Sequence, residues 1–501
     1  MRKPLFIAAF TFVLISCNTH IPDKFAQMDV LPSIYPDYTD VTVPSNIAPL
    51  NFRIDCPGNE FVTRFSASGN EIVLKGRKTD MPLKKWSTLT DDGTDIKVEI
   101  FVLDEGNWKA YKPFLIHLAE PIDQYISYRL IPPSAVAYEQ LTINQRDLTN
   151  FNEDVIYSNA LVQKGSQGQC INCHHYRNYR TDNMQFHARQ YKGGTILVTD
   201  GQLRKINLKT DSTLSAGVYP AWHPTHDFIA YSTNITKQSF QLSDANRTEV
   251  YDFESDLILF DINDNSVSII ENDSDEFECF PAWAPDGRTL YYVSAHYEVP
   301  DGVNREDLII ADHKNIRYDL YSKPFDPDTR TWGPSQKILD ASSVGMSVTL
   351  PRVSPDGRYL MFTMGEYGVF HIWHKDSDLY LMDLSNDMIR NLFEINSNNV
   401  ESYHSWSSNG KWVIFSSRRE DGGFTRFYLA HHDGAGNFAK PFALPQRDPD
   451  FSEQFLRSYN IPEFMIEPVR ISAHTFSRFI RKNDAQPVSF TQKREDGTAI
   501  Q

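Results

Sequence analysis

The chain repeats one short phrase four times, and each copy is followed by a stretch that alternates apolar and polar residues. The copies are YPAWHP at 219–224, FPAWAPDG at 280–287, LPRVSPDG at 350–357 and YHSWSSNG at 403–410. The stretches after them occupy 228–232, 289–294, 359–363 and 412–416. Pro-Asp-Gly and Ser-Asn-Gly favour tight turns, because Gly and Asn tolerate a positive φ. A phrase that recurs every 50 to 70 residues or so, with one small antiparallel sheet per copy, predicts a β-propeller.

A second part of the repeat lies upstream of the phrase, as DLILFD at 256–261 and DLYLMD at 378–383. The acidic strand, the Pro-x-Trp phrase with its Asp-Gly turn and the strand after it together resemble the TolB-type propeller repeat over about residues 190–445. WD-type and kelch repeats match less well, since neither a Gly-His…Trp-Asp pattern nor paired glycines recur. The resemblance implies a propeller scaffold and does not by itself imply a reaction.

The aromatic and turn-rich composition indicates an all-β protein, in which an N-terminal β-sandwich precedes a TolB-like propeller of five blades, or alternatively six. We expect residues 165–190 to supply strands to a blade that 424–429 and 438–444 complete, because such a closure removes exposed strand edges. Cys173 and His174 would then lie about where Pro-x-Trp lies in the other copies.

The remaining segments give a domain plan. Strand-like stretches at 71–74, 96–103 and 125–130, separated by turns, predict the sandwich. The predicted units are a signal peptide at 1–16, a tether at 17–44, the sandwich at 45–150, a segment with the first propeller strand at 151–190, the propeller at 191–470 and a tail at 471–501.

The sequence Cys170-Ile171-Asn172-Cys173-His174 is the attachment signature of a c-type haem. Both thiols would form thioether bonds with the haem, and His174 would ligate the iron from the proximal side. Met184 and His187 are the candidate distal ligands. Their odd spacing on one predicted strand places them on opposite faces, so at most one of them can serve. Adjacent His175 is a poorer candidate, and an iron without a protein ligand on its distal side is the alternative.

The same two cysteines also permit a disulfide or a redox dithiol. A zinc site is less favoured, since no second Cys/His pair stands at finger spacing. Cys56 and Cys279 remain, and their expected placement in different domains favours two buried free thiols over a disulfide.

The N-terminus predicts export. Arg2 and Lys3 precede an apolar stretch at 5–15 that is too short to span a bilayer, and Leu-Ile-Ser-Cys then resembles a bacterial lipobox ending at Cys17. Lipid on Cys17 would anchor the protein in the cell envelope, whereas an ordinary signal peptide is the alternative. No acidic run follows Cys17, which favours the outer membrane with the protein facing the periplasm.

Composition and motifs argue against two classes of function, nucleic-acid binding and catalysis. The 501-residue chain has a formal charge of −16, which argues against nucleic-acid binding. No Gly-x-Ser-x-Gly elbow, Walker loop or His-Glu-x-x-His is present, so an enzyme is disfavoured. The prediction is an envelope lipoprotein with one covalent haem c that acts in binding, scaffolding or electron transfer. The alternative is a haem-free scaffold for a protein or glycan partner, with Cys170 and Cys173 in a disulfide.

Overall fold

The computed structural model describes residues 20–133, 139–241, 244, 246, 248–493 and 499–500. The protein is mostly β and has a propeller-like arrangement of small antiparallel sheets. The predicted signal peptide and the predicted lipidation site, Cys17, lie outside the described residues. None of the helices among the described residues has the length and apolar content of a membrane-spanning segment.

The N-terminal part forms one seven-stranded sheet and one two-stranded ladder. Its strands are β1 (Ala26–Gln27), β2 (Ile34–Tyr35), β3 (Val41–Pro44), β4 (Arg53–Ile54), β5 (Glu60–Ala67), β6 (Asn70–Lys75), β7 (Ile96–Asp104), β8 (Asn107–Ala110) and β9 (Phe114–Ala119), with helix α1 (Leu83–Thr90) between β6 and β7. The large sheet has the order β1-β8-β7-β5-β6, with β9 joining β3 to β7, and β2 pairs with β4. The predicted strands at 71–74 and 96–103 are confirmed, and the predicted strand at 125–130 belongs to a separate sheet, whereas the two-sheet sandwich stays a prediction.

Alternation in β7 shows why this sheet forms. Ile96, Val98, Ile100 and Val102 are buried in one hydrophobic core, as expected for a strand with one face on the core. The same core continues into later sheets, where the indole of Trp412 donates to the Glu120 carbonyl oxygen at 2.9 Å. The N-terminal sheet is therefore packed onto the body that carries the repeats.

Antiparallel units of four strands, one of them with five, make up that body. The first unit consists of β10 (Tyr125–Ile131), β11 (Thr142–Asp147) and β12 (Glu153–Ser158), which a later strand completes, and the second consists of β13 (Gln169–Arg177), β14 (Arg180–Gln190), β15 (Gly194–Thr199) and β16 (Gln202–Asn207). The third consists of β17 (Val218–Trp222), β18 (Phe228–Phe240), β19 (Thr248–Asp261) and β20 (Ser266–Glu271), and the fourth consists of β21 (Glu276–Trp283), β22 (Thr289–His296), β23 (Asp319–Asp326), β24 (Thr331–Trp332) and β25 (Gln336–Leu339). The fifth consists of β26 (Ser347–Val353), β27 (Tyr359–Gly365), β28 (Asp378–Asp383) and β29 (Met388–Asn391), and the last consists of β30 (Glu401–Trp406), β31 (Trp412–Ser417), β32 (Arg426–His431) and β33 (Phe442–Ala443). The four strands predicted after the repeated phrase lie in β18, β22, β27 and β31.

Helix α2 (Arg305–Asp312) follows β22, and helix α3 (Phe451–Gln454) precedes β34 (Ser458–Met465). Strand β34 pairs antiparallel with β10, so one sheet has the order β12-β11-β10-β34. The predicted closure is wrong in its strands: 424–429 and 438–444 extend the local hairpin of β31 as β32 and β33 instead. Residues 125–158 and β34 therefore build one sheet from two segments that lie far apart in the chain.

The innermost strands contact one another in sequence. Contacts run from β13 to β17, β21, β26, β30 and β34, and β34 in turn contacts β13. Each of these strands has a bulge at the same place, where its register with the neighbouring strand shifts. A residue with φ between 45 and 55° occupies each bulge: Cys173, Tyr219, Phe280, Leu350, Tyr403 and Ile461.

The C-terminal segment covers outer strand edges. Helix α4 (Ala473–Lys482) packs against β12, and β35 (Gln486–Pro487) and β36 (Ser489–Phe490) pair in parallel with the edge strands β16 and β20. The last described strands, β37 (Gln492–Lys493) and β38 (Ala499–Ile500), pair with each other. We call 486–493 the C-terminal strap, because it covers two edges that would otherwise expose unpaired backbone groups.

Candidate functional site

The Cys-x-x-Cys-His motif lies in β13, one of the innermost strands. Cys173 takes the bulge position with φ 55°, and His174 takes the position that Pro220 has in the next unit. Tyr176 then corresponds to Trp222. The motif therefore belongs to the repeat pattern, within one residue of the placement that the sequence predicts.

His174 is a buried imidazole whose ring meets that of Tyr176 edge-on, with 6.4 Å between the ring centroids. It is 1 % exposed, and neither ring nitrogen has a hydrogen-bond partner among the described residues. Burial lowers the pKa of His174 to about 4, with the guanidinium of Arg129 acting in the same direction and the carboxylate of Glu463 opposing it. The ring is therefore neutral near pH 7, as an iron ligand must be.

Met184 and His187 lie on β14, the strand paired with β13. Met184 packs into a hydrophobic core with Phe186 and Ala188, whereas Nδ1 of His187 lies 3.0 Å from the Thr195 hydroxyl. Among the described residues, neither side chain has a hydrogen bond to the His174 ring. The two remain candidates by sequence alone.

The space beside the motif is too small for a haem. The cavity that touches both Cys173 and His174 has a volume of about 40 Å³, whereas sites for ligands of drug size or larger need roughly 300 Å³ or more. Cys170 lies opposite Arg189 in the ladder of β13 and β14, so this part of the strand is fully paired. His174 has the chemistry of a haem ligand, but the residues in this arrangement do not fit the group.

The four described cysteines are all free thiols, so the predicted alternative disulfide between Cys170 and Cys173 is not formed in this structure. Burial raises the pKa of the Cys173 thiol, which disfavours the reactive thiolate. Cys56 and Cys279 are buried in different parts of the fold, as the free-thiol interpretation expects.

A larger cavity adjoins the small one. We call it the central pocket: it has a volume of about 210 Å³, and all six innermost strands line it with the residues that follow their bulges. Both cavities touch His175, Pro281, Arg352 and Glu463. The central pocket is therefore built from the same position of the repeat in every unit.

Arg352 and Glu463 are the charged side chains that line the central pocket. Nη2 of Arg352 donates to Oε1 of Glu463 at 2.6 Å, and Nη1 of Arg352 lies 3.4 Å from Nε2 of His175. Burial, reinforced by the Arg352 guanidinium, lowers the pKa of His175 to about 3. A guanidinium only donates, so Nε2 of the neutral His175 ring accepts and its proton lies on Nδ1.

Three tryptophans line the central pocket at one repeat position. The indole of Trp283 donates to the Ala221 carbonyl oxygen at 3.1 Å, and that of Trp406 donates to the Arg352 carbonyl oxygen at 3.2 Å. Each bond joins one innermost strand to the preceding one. Trp222 departs from this pattern: it is 4 % exposed, and its Nε1 has no partner among the described residues.

Sequence reasoning missed Arg352 and Glu463. Arg352 stands where two other repeats have Ala221 and Ala282, and this substitution of a small residue by a cation was a visible signal. Glu463 follows Ile461-Pro462, which matches Leu350-Pro351 in the repeat but lacks the Trp and the turn. The pairing of the two side chains depends on the fold and had no signal in the sequence.

No protein-family model and no curated protein matches this chain. Among solved structures, a mutant apocarotenoid oxygenase from Synechocystis is 11 % identical with a TM-score of 0.37, over 85 % of this chain and 95 % of that one. The β-propeller domain of the Trilobed protease from Pyrococcus furiosus is 10 % identical with a TM-score of 0.28, over 84 % and 99 %. A prolyl endopeptidase is 12 % identical with a TM-score of 0.32, over 66 % and 50 %. These weak likenesses carry no argument about function.

Proposed function

We propose that the protein is a TolB-like, six-bladed propeller that acts as a binding scaffold and takes its ligand in the central pocket. The observation that carries the proposal is the convergence of all six innermost strands on this one cavity. The unbroken sequence of contacts from β13 to β34 and back supports a count of six blades, the alternative in the sequence-based prediction.

The wall of the central pocket supports binding chemistry. Alanine, proline and tryptophan side chains provide apolar surface, and Arg352, Glu463 and His175 provide a few polar groups. Cavities that combine apolar surface with a few oriented polar groups are typical of ligand sites. The repeat supplies the shape of the pocket, and the departures from the repeat supply its polar groups.

The position of Val353 offers a test. Val353 lies opposite Leu360, as Trp222 lies opposite Ile229 and Trp283 opposite Leu290. Val353→Trp would therefore fill the central pocket with a side chain that the fold already accepts at this position. Val344→Trp, at a site that is 69 % exposed, adds the same side chain away from the pocket.

Both variants would be compared with the wild type by ligand-observed NMR against a library of small fragments. We expect fragments that bind the wild type and Val344→Trp but not Val353→Trp. Equal binding to all three proteins would contradict the proposal.

We further propose that lipid on Cys17 anchors the scaffold in the outer membrane facing the periplasm, where a protein or glycan is its partner. The N-terminal sequence supports this placement. Metabolic labelling with palmitate tests it: the wild type should incorporate the label and Cys17→Ser should not. Labelling of Cys17→Ser would refute lipidation at this residue.

A covalent haem c remains a second candidate function, as a structural or electron-carrying group. The motif supports it, and so do the unpartnered ring nitrogens of His174. Attachment would require β13 to leave its pairing with β14, since the cavity there is too small. Mass spectrometry tests this candidate. Wild-type protein from a host with haem-ligation machinery should carry one haem, and the double variant Cys170→Ser, Cys173→Ser should carry none. A bare polypeptide mass for the wild type would remove this candidate.

A further inference from the structure

We infer that the central pocket selects small ligands that carry a carboxylate, bound at the junction of β13 and β17. This inference rests on the proposed binding function and names the chemistry of the ligand. Two sources fit the proposed partners: a uronic acid of a glycan, and the C-terminal residue of a peptide.

The first argument is an excess of free donors at this junction. Trp222 is the one pocket-lining tryptophan among the described residues whose indole N–H lacks the inter-strand bond. Nδ1 of His175 also has no partner and carries the proton of the ring, since Nε2 faces the Arg352 guanidinium. A buried donor left unpaired costs free energy, so an acceptor that pairs with either donor is favoured.

The second argument is charge. Arg352 and Glu463, which line the pocket, compensate each other at 2.6 Å. The charged groups that line the pocket thus cancel in a chain whose net charge is −16, so its wall does not repel a monoanion.

The third argument is size. A cavity of about 210 Å³ accommodates a carboxyl group and the residue or sugar that carries it, but not a folded partner.

Neutral N–H donors pair better with an ionised acceptor than with a neutral one, and such bonds are about twice as strong. The pocket should therefore separate a carboxylic acid from its own amide.

The test uses calorimetric titration of the full mature chain with two matched pairs of probes: glucuronic acid with glucuronamide, and N-acetylphenylalanine with its amide. We expect at least one acid to bind about ten-fold more tightly than its amide. Trp222→Phe should remove most of this preference, and Trp108→Phe, which changes a tryptophan in the N-terminal sheet, should leave it unchanged.

The probes also identify the source. Preference for glucuronic acid alone indicates a glycan, preference for the acylated amino acid alone indicates a peptide, and preference for both acids supports the shared chemistry. Equal binding of acid and amide overturns the carboxylate inference and leaves the binding function standing. The carboxylate inference also fails if fragments bind the wild type but not Val353→Trp, while none of the four probes binds. If neither probes nor fragments bind the folded protein, the proposed function fails as well.

Discussion

Glu278 is an internal carboxyl group that should make the protein less stable as the pH rises. It lies on β21 and is 3 % exposed; its Oε2 has no partner among the described residues, and its Oε1 accepts from the Asp273 backbone N–H at 3.3 Å. Burial raises the pKa of Glu278 to about 9, with the carboxylates of Asp256 and Glu271 contributing. The group is therefore protonated in the folded protein at neutral pH and ionised in the unfolded chain.

The sign follows from proton linkage. Between the unfolded pKa of 4.5 and the folded pKa of about 9, the folded state holds one more proton, so stability falls as the pH rises through this interval. Each pH unit costs about 1.4 kcal/mol, which amounts to about 3 kcal/mol at pH 7 before relaxation of the site is considered. Glu278→Gln, which stays neutral in both states, removes this cost.

Urea denaturation at several pH values between 5 and 9 measures the effect. We expect Glu278→Gln to match the wild type near pH 5 and to exceed its unfolding free energy by about 2 kcal/mol or more at pH 8, after a discount for relaxation. Glu394→Gln is the control: although burial opposes it, the bond from Arg390 holds the pKa of Glu394 below its ordinary value, so between pH 5 and 9 this substitution should change stability by an amount that hardly varies with pH. A stability difference for Glu278→Gln that does not change with pH would refute the reasoning.

Three further predictions concern the indole of Trp283, the loss of stability at acid pH and the C-terminal strap. Trp283→Phe removes the indole bond to the Ala221 carbonyl oxygen and part of a buried ring, so urea denaturation should show a loss of about 1 to 2 kcal/mol; an unchanged midpoint would contradict this. Burial lowers the pKa of His404 to about 3, so the unfolded chain binds the proton at a higher pH than the folded protein does, and stability falls as the pH drops below 6.5. The urea midpoint should therefore fall less between pH 6.5 and 5 in His404→Asn than in the wild type. An equal fall in both proteins would refute this explanation. Deleting 485–501 uncovers the edges of β16 and β20, so light scattering should detect self-association; a monomer at high concentration would contradict the role of the strap.

The repeated phrase was sufficient to predict the propeller-like body, because each copy specifies an innermost strand, a turn and a second strand through local chemistry. It could not reveal β34, since this strand follows no hairpin and its Ile461-Pro462 lacks the Trp and the turn of the phrase. Its partner β10 lies more than 300 residues earlier. Pairing over such a separation depends on the whole ring and leaves no local pattern, which explains why the closing strands were misassigned.

The candidate site divides in the same way. Cys173 and His174 were visible as a motif, and their position in the repeat was inferred correctly to within one residue. The cavity size that argues against a bound haem could not be read from the motif, because it depends on how β13 packs in the ring. The central pocket was missed because Arg352 and Glu463 come from strands about 110 residues apart and meet only across the interior.

The position of the motif gives its residues a structural role that is independent of any cofactor. In all six innermost strands the bulge holds a residue with positive φ, and in four of them proline follows it: Pro220, Pro281, Pro351 and Pro462. His174 and His404 take that position in the other two strands, and His404 uses its ring to bond the Met361 carbonyl oxygen at 3.0 Å. His174 has the same setting but no such bond. Strand β13 therefore carries the buried His174 ring, whose nitrogens make no hydrogen bond, next to a pocket with two more unpaired donors, Nδ1 of His175 and Nε1 of Trp222. Because the other innermost strands repeat one construction and β13 departs from it, a ligand that binds here would contribute most to satisfying buried polar groups.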